Sequence, residues 1–223
     1  MSGKFIVIEG PDGSGKTTLA RGLRGLLVGQ SKSVYLTAEP TVRPIGQLLR
    51  SYLTHDRPMP DWDVLALLFA ADRLDHMRNE IEPELAKGST VISDRYTLSN
   101  LVYQTVFRSP GVTAEKAALF IAAANRYAIV PDVMIVLSVP LETTMARITS
   151  RVARPTTLED GLMQKKVHVA YAEFVASHSS SGLAHDLFEL APEPISTAGD
   201  VAAIALALLD AAEKNAYDPK TYE

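Results

Sequence analysis

The chain contains no cysteine. That excludes disulfides, thiolate metal sites and cysteine nucleophiles, leaves any metal to oxygen or imidazole ligands, and fits a reducing cytoplasm. It also lacks an excess of positive charge, since 22 Lys and Arg stand against 26 Asp and Glu for a formal net charge of -4. A surface built to neutralise a nucleic-acid backbone is therefore not expected, although local basic sites for small phosphates remain open. Long apolar runs are missing too. "KFIVIE" is too short to span a bilayer, and the N-terminus has no charged start followed by a long apolar stretch and a cleavage site. The expectation is a soluble, cytoplasmic protein with neither nucleic acid nor membrane as partner. There is no internal repeat, heptad array or extended low-complexity stretch; "SHSSSG" at 177–182 reads as a surface turn.

What is present is enough chain, 223 residues, for one large core. The reading is a single domain over 1–215 and a polar tail over 216–223. Short β-branched runs recur at "FIVIE", "SVYLTA", "STVISD" and "DVMIVLSV", with a weaker one at "DLFEL", and longer helical patterns lie between them. Leu19, Leu23, Leu26 and Leu27 form one apolar stripe, and Val201, Ile204, Ala205, Leu208 and Leu209 another. Alternating strands and helices, with strands too apolar to be half exposed, predict an α/β fold: a mostly parallel sheet covered by helices on both faces. Ligands of such folds gather at the carboxyl ends of the strands.

"GPDGSGKT" follows the first of those strands. Gly10, Gly15, Lys16 and Thr17 have the G-x-x-x-x-G-K-[ST] spacing of a phosphate-binding loop, and the match sits between a strand and an amphipathic helix as it should. Glycines let successive N–H groups turn inward, and a helix starting near Lys16 adds its positive end to the anion site. The donor cradle is expected to comprise Gly10, Pro11, Asp12, Gly13, Ser14, Gly15, Lys16, Thr17 and Thr18, with Lys16 reaching the outer phosphates and Thr17 holding Mg²⁺. A tight strand-to-helix turn alone explains neither the Lys-Thr pair nor its place after an apolar strand. The chain has no guanine-reading N-K-x-D element and is too small for a large motor, so the remaining motifs must name the reaction.

They lie in "VISDRYTLSNLVYQ". Asp94 ends a strand beside the phosphate loop, where a carboxylate can bind Mg²⁺ or its water, and Arg95 can bridge transferring phosphates. Asn100, Tyr103 and Gln104 follow at helical spacings and share one face.

Taken in order, "FIVIEGPDGSGKTT", "AEPTVRPIG", "LLFAADR", "VISDRYTLSNLVYQ" and "PDVMIVLSVP" resemble thymidylate kinases over residues 3–175. The resemblance implies a three-layer P-loop kinase fold with a five-stranded parallel sheet and a short mobile lid. It implies transfer of the γ-phosphoryl group of ATP to dTMP with Mg²⁺, giving ADP and dTDP, by a protein that is usually a homodimer. Carried over by position, Asp12 looks like the carboxylate that orients the 3'-hydroxyl, Phe69 like the platform under thymine, and Arg73 like the donor to a base carbonyl. Arg95 resembles the contact to the acceptor phosphate, Asn100 the contact to the pyrimidine edge, and Tyr103 the residue that crowds the 2' position. Glu39, Pro40, Ser99 and Gln104 complete the acceptor site.

Ala38 stands where the family commonly has arginine before Glu39-Pro40; Arg43 and Arg50 are near enough to substitute or simply to face water. Ser138 stands where the family often has Asp, so no metal role falls there. Arg147, Arg151 and Arg154 occupy the lid region, about 147–160. The phosphate loop holds no arginine, so the catalytic cation is expected from Arg151 or Arg154, with Arg147 nearer adenine or the hinge. Glu159 and Tyr171 match family positions, whereas Thr157 and Leu158 do not. A phosphate acceptor is already ionised and needs no general base; alignment, charge neutralisation and exclusion of water are the work. Two other readings stay open: a kinase of other or broader acceptor range, and an ATP-binding regulatory module without transfer activity.

Overall fold

Five short runs of β-branched and aliphatic residues build one parallel sheet. The structure, a computed structural model, describes residues 3–150, 161–178 and 187–190. Within them the strands are β1 (Phe5–Glu9), β2 (Val34–Ala38), β3 (Thr90–Asp94), β4 (Val133–Leu137) and β5 (Leu187–Leu190), at the places the sequence pattern predicts. Their order is β2-β3-β1-β4-β5, with every neighbouring pair parallel. Central β1 is buried on both faces, which is why its sequence is apolar throughout rather than alternating.

The two-residue period of a strand sends Ile6 and Ile8 to one face and Phe5 and Val7 to the other. On the first face they meet Ile92, Ile135 and the stripe Leu19, Leu23 and Leu27 of α1 (Lys16–Gly29). Leu26, expected in that stripe, lies at its edge and is 36% exposed. Leu23 has no exposed surface, so Leu23→Ala is expected to cost about 2–5 kcal/mol.

On the opposite face, Phe5, Val7 and Val91 pack with Ile81 and Tyr96. Val136 of β4 lies under Leu98, Val102 and Tyr103 of α5 (Thr97–Val106) and Val167, Tyr171 and Val175 of α8 (Gly161–His178). The remaining helices are α2 (Pro44–Leu53), α3 (Trp62–His76), α4 (Glu82–Ala86), α6 (Ala114–Ala124) and α7 (Leu141–Thr149), with a π-helical turn over Met77–Ile81 joining α3 to α4.

Strand register positions the site. Asp94 of β3 is level with Ile8 of β1 and with Ala38 of β2. Three chain segments therefore leave the sheet at one edge: the glycine loop after Glu9, Glu39-Pro40 after Ala38, and Arg95 after Asp94. Arg151, Arg154, Thr157, Leu158, Glu159, the stripe Val201–Leu209 and the polar tail lie outside the described residues. Among the described residues, no helix is long and apolar enough to cross a membrane.

Candidate active site

The glycine loop closes over the end of β1 because its glycines take backbone angles that other residues resist. Gly10 has φ 141°, and Gly13 has φ 76° with the carbonyl of Thr144 only 2.5 Å from where a Cβ would stand. Gly15 caps α1 without a side-chain hydrogen bond, so the first-turn N–H groups face the loop's hollow at the positive end of the helix. Lys16 is buried and folds back across the loop, donating to the carbonyls of Gly10 (3.0 Å) and Pro11 (2.7 Å). Burial, with Arg95 nearby, brings its ammonium down to about 8 from an ordinary 10.5. Thr17 and Thr18 are exposed at the start of α1, and Ser14 lies within the loop.

Thr17 Oγ1 donates to Asp94 Oδ2 at 2.5 Å, so the hydroxyl of the loop and the carboxylate ending β3 meet. A hydroxyl and one carboxylate beside a phosphate cradle suit Mg²⁺, which usually takes one or two protein oxygens and completes its shell with substrate phosphates and water. The described residues contain no group of three or more His, Cys, Asp or Glu side chains placed to hold a metal ion. Arg147 of α7 donates to the carbonyls of Gly13 (3.1 Å) and Ser14 (3.3 Å), tying the beginning of the lid region to the loop.

Asp12 turns away from the cradle. Its carboxylate accepts from Arg95 Nη2, from Tyr103 Oη at 2.8 Å and from Gln164 Nε2 of α8 at 3.1 Å. Burial pushes its pKa up, but the charges of Arg95 and Lys16 outweigh that and hold it below the usual value. Arg95 takes φ 77°, rare for a residue with a side chain, donates to Ser99 Oγ at 3.0 Å and lies 5.1 Å from the Tyr103 ring centre.

That backbone conformation is held from below by Glu9, the last residue of β1 and wholly buried. Its carboxylate accepts the N–H groups of Tyr96 (2.8 Å) and Ser99 (3.1 Å), the Ser99 hydroxyl, and the Tyr171 hydroxyl at 3.3 Å. Tyr96 caps α5 without a side-chain hydrogen bond of its own, so a carboxylate from another strand satisfies the first turn. Burial raises the Glu9 pKa against the lowering effect of these donors.

Every residue expected at the acceptor site lines one cavity of about 270 Å³, near the lower end for small-molecule sites. It runs from Asp12 and Arg95 to Phe69 and Arg73 of α3, with Glu39 and Pro40 on one wall and Ser99, Asn100, Tyr103 and Gln104 of α5 on another. Arg73 is 2% exposed and no surface partner of Asp72; it donates to Glu39 (2.6 Å), the Tyr96 carbonyl (2.9 Å), Asn100 (3.2 Å) and Asn125 (2.5 Å). Asp72 instead holds Thr41 through its N–H (2.8 Å) and hydroxyl (2.6 Å). Of the two arginines near Ala38, Arg43 pairs with Asp75 at 2.5 Å, while Arg50 lines the cavity and donates to the carbonyls of Pro40 and Thr41.

With that geometry in view, similarity to known proteins is decisive. The family model for thymidylate kinase matches residues 8–181. The chain belongs to the thymidylate kinase family. Among its relatives, a probable thymidylate kinase of Thermococcus onnurineus is 38% identical over 174 residues, covering 75% of this chain and 82% of that one. A probable thymidylate kinase of Methanococcus aeolicus is 42% identical over 162 residues, covering 73% and 74%. The fold is also that of a thymidylate kinase from Candida albicans, described as having broad substrate specificity: TM-score 0.76, 23% identity, 95% of this chain and 93% of that one covered. Membership of the thymidylate kinase family makes the chain an ATP-dependent nucleoside monophosphate kinase.

Glu9, Asn125 and Gln164 contribute to this site without having been expected there. A carboxylate closing the apolar run "FIVIE" was a visible signal, since a charge at the end of a buried strand needs partners. Asn125 and Gln164 reach the site only through tertiary packing, and no local pattern marks them.

Proposed function

We propose that this thymidylate kinase family member phosphorylates dTMP with ATP and Mg²⁺, and that the base is chosen by three side chains. The observation carrying this reading is a set of buried polar atoms without partners among the described residues: Arg73 Nε, Asn100 Nδ2, and Gln104 Oε1 and Nε2. All belong to residues lining the cavity's far end. Buried polar groups are costly unless paired, so they mark where a ligand supplies the pairing. They offer two fixed donors and an amide with one of each kind. A thymine edge presents two carbonyl oxygens flanking one N–H, which these atoms complement; cytosine replaces the N–H with an acceptor and one carbonyl with a donor.

With the base there, beside Phe69, the sugar falls against Tyr103 and Asp12, and the acceptor phosphate against Arg95, with Arg50 as a second cation. Arg50 takes the place left by Ala38 in this arrangement. Lys16 and the first-turn amides of α1 bind the donor phosphates. Thr17 and Asp94 would hold Mg²⁺, which supplies charge neutralisation between the phosphates. Arg151 or Arg154 brings the remaining positive charge when the lid covers ATP and keeps water out. The protein works in the cytoplasm as a homodimer, a state that suits the exposed Val64 and Leu67 of α3.

The test is ADP release with dTMP, dUMP, UMP, dGMP and AMP as acceptors. Highest kcat/KM for dTMP is expected. Preference for a purine, or tight ATP binding without acceptor-dependent turnover, refutes the reading.

A further inference from the structure

Asn125, the residue capping the C-terminus of α6, lies outside the cavity and is half-buried behind it. It touches two of the residues that read the base. Its Oδ1 accepts from Arg73 Nη1 at 2.5 Å, while its Nδ2 donates to Asn100 Oδ1 at 2.8 Å and to the Ile121 carbonyl at 2.8 Å. Asn100 Oδ1 also receives Arg73 Nη1 at 3.2 Å.

The amide orientations follow from chemistry. A guanidinium can only donate, so the atom each asparagine turns toward Arg73 must be its oxygen. With its oxygen facing Arg73, Asn125 turns its nitrogen to Ile121, whose carbonyl can only accept, and to Asn100. Asn100 Oδ1 is then taken by two donors, and Nδ2, buried and without a partner among the described residues, is the atom left for a ligand. The same contacts fix the arginine. Glu39 and the Tyr96 carbonyl take Nη2, the two asparagines take Nη1, and Nε remains.

We propose that Asn125 is a positioning residue for acceptor specificity: it holds the Asn100 amide with its donor toward the base and so favours an imide-bearing pyrimidine over cytosine. The proposal rests on the pyrimidine-reading site proposed above. In Asn125→Asp the carboxylate draws Arg73 Nη1 to itself, at the expense of that nitrogen's longer 3.2 Å contact with Asn100, and offers Asn100 an acceptor in place of the Nδ2 donor; Asn100 then turns its nitrogen toward residue 125 and leaves an oxygen where the base now meets an N–H. A base carbonyl facing that oxygen is repelled, whereas an amino group is not.

The experiment compares wild type, Asn125→Asp and Asn125→Ala by steady-state kinetics with dTMP and dCMP, and measures KM for ATP alongside. For Asn125→Asp, KM for dTMP is expected to rise roughly tenfold or more, the scale of one mispaired buried hydrogen bond. The ratio of kcat/KM for dTMP over dCMP should fall by a similar factor while KM for ATP and kcat hold. Asn125→Ala removes the constraint without reversing it, so its ratio should fall between the other two. In a double-mutant cycle, Asn100→Ala should abolish most of the effect of Asn125→Asp, because Asn125 acts through that amide. The thermal midpoint of each variant reports folding; if Asn125→Asp is not folded, Asn125→Ser is read in its place, with a fall in the ratio like that for Asn125→Ala expected. A wild type that uses dTMP while the folded variants keep its acceptor ratio and KM overturns the proposal. A wild type that does not prefer dTMP overturns the underlying reading instead.

Discussion

Arg95 and Asp12, 83 residues apart in the chain, form an ion pair where the glycine loop meets the first turn of α5. The pair joins the donor loop to the acceptor cavity. It also has an electrostatic consequence: Asp12 stays ionised despite burial because Arg95 and Lys16 face it.

Arg95→Ala leaves that carboxylate without the cation paired with it and, in the proposed reaction, the acceptor phosphate without its donor. Turnover of dTMP is expected to drop by about 100- to 1,000-fold, the scale of losing one preorganised donor to transition-state charge. Arg95→Lys should recover only a small part, because an ammonium lacks the forked geometry that reaches Ser99 and Asp12 together. The measurement is kcat/KM for dTMP; values close to wild type for Arg95→Ala would remove Arg95 from the reaction.

Gly13→Ala tests the loop's backbone. The substituent would meet the Thr144 carbonyl at 2.5 Å in a left-handed conformation, and the conformation alone costs about 1–2 kcal/mol. Because α7 cannot retreat without moving Arg147 from the loop, the cradle should open. Loss of ATP binding in calorimetry with the circular dichroism of a folded α/β protein is the expected result.

With Lys16 on the donor phosphates as proposed, ATP binding is expected to depend on pH with a definite sign. Its ammonium titrates at about 8 in the free protein, and phosphates placed beside it favour the charged form. Above that pH the free lysine is mostly neutral, so ATP binding must take up a proton; well below it, no proton moves at this residue. Calorimetry at pH 8.5 in buffers of different ionisation enthalpy should show uptake of up to about three quarters of a proton, absent in Lys16→Met. Equal uptake in that variant would place the effect elsewhere.

How much was legible beforehand depended on the range over which each residue's role is set. The strands were readable because burial on both faces forces continuous apolar runs. Gly10, Gly15, Lys16 and Thr17 were readable because one turn's backbone geometry dictates their spacing. Phe69 and Arg73 share a helix face, and so do Asn100, Tyr103 and Gln104; their periodicity, together with family likeness, was enough to group them. Arg43 and Arg50 could not be told apart in the sequence, since both lie near Glu39 and only the course of α2 turns one to Asp75 and the other to the cavity. Asn125 and Gln164 were invisible for the same reason. Each enters the site across a helix pair whose packing no local pattern encodes.

Glu9 supplies a last prediction, in which hydrogen bonding and charge are separable. All four groups facing it donate: two backbone N–H groups at the start of α5 and two hydroxyls. In Glu9→Gln the remaining carbonyl oxygen can serve the backbone pair, and the hydroxyls can rotate to accept from the new amide. In Glu9→Ala nothing replaces the acceptor, and two buried N–H groups lose their partner at about 1–3 kcal/mol each. The expected stability order in urea is therefore wild type, then Gln, then Ala, with KM for dTMP rising in the same order as Arg95 and Ser99 lose their anchorage. The pH dependence has its own sign. Burial raises the Glu9 pKa above 4.5, so the stability this carboxyl contributes is complete below the unfolded pKa and declines as pH rises through the folded one. A glutamine does not titrate, and the margin of wild type over Glu9→Gln should narrow across that window. A margin that widens with pH would mean that the ionised carboxylate is the favoured form and that Arg95 contributes more to holding it than burial takes away.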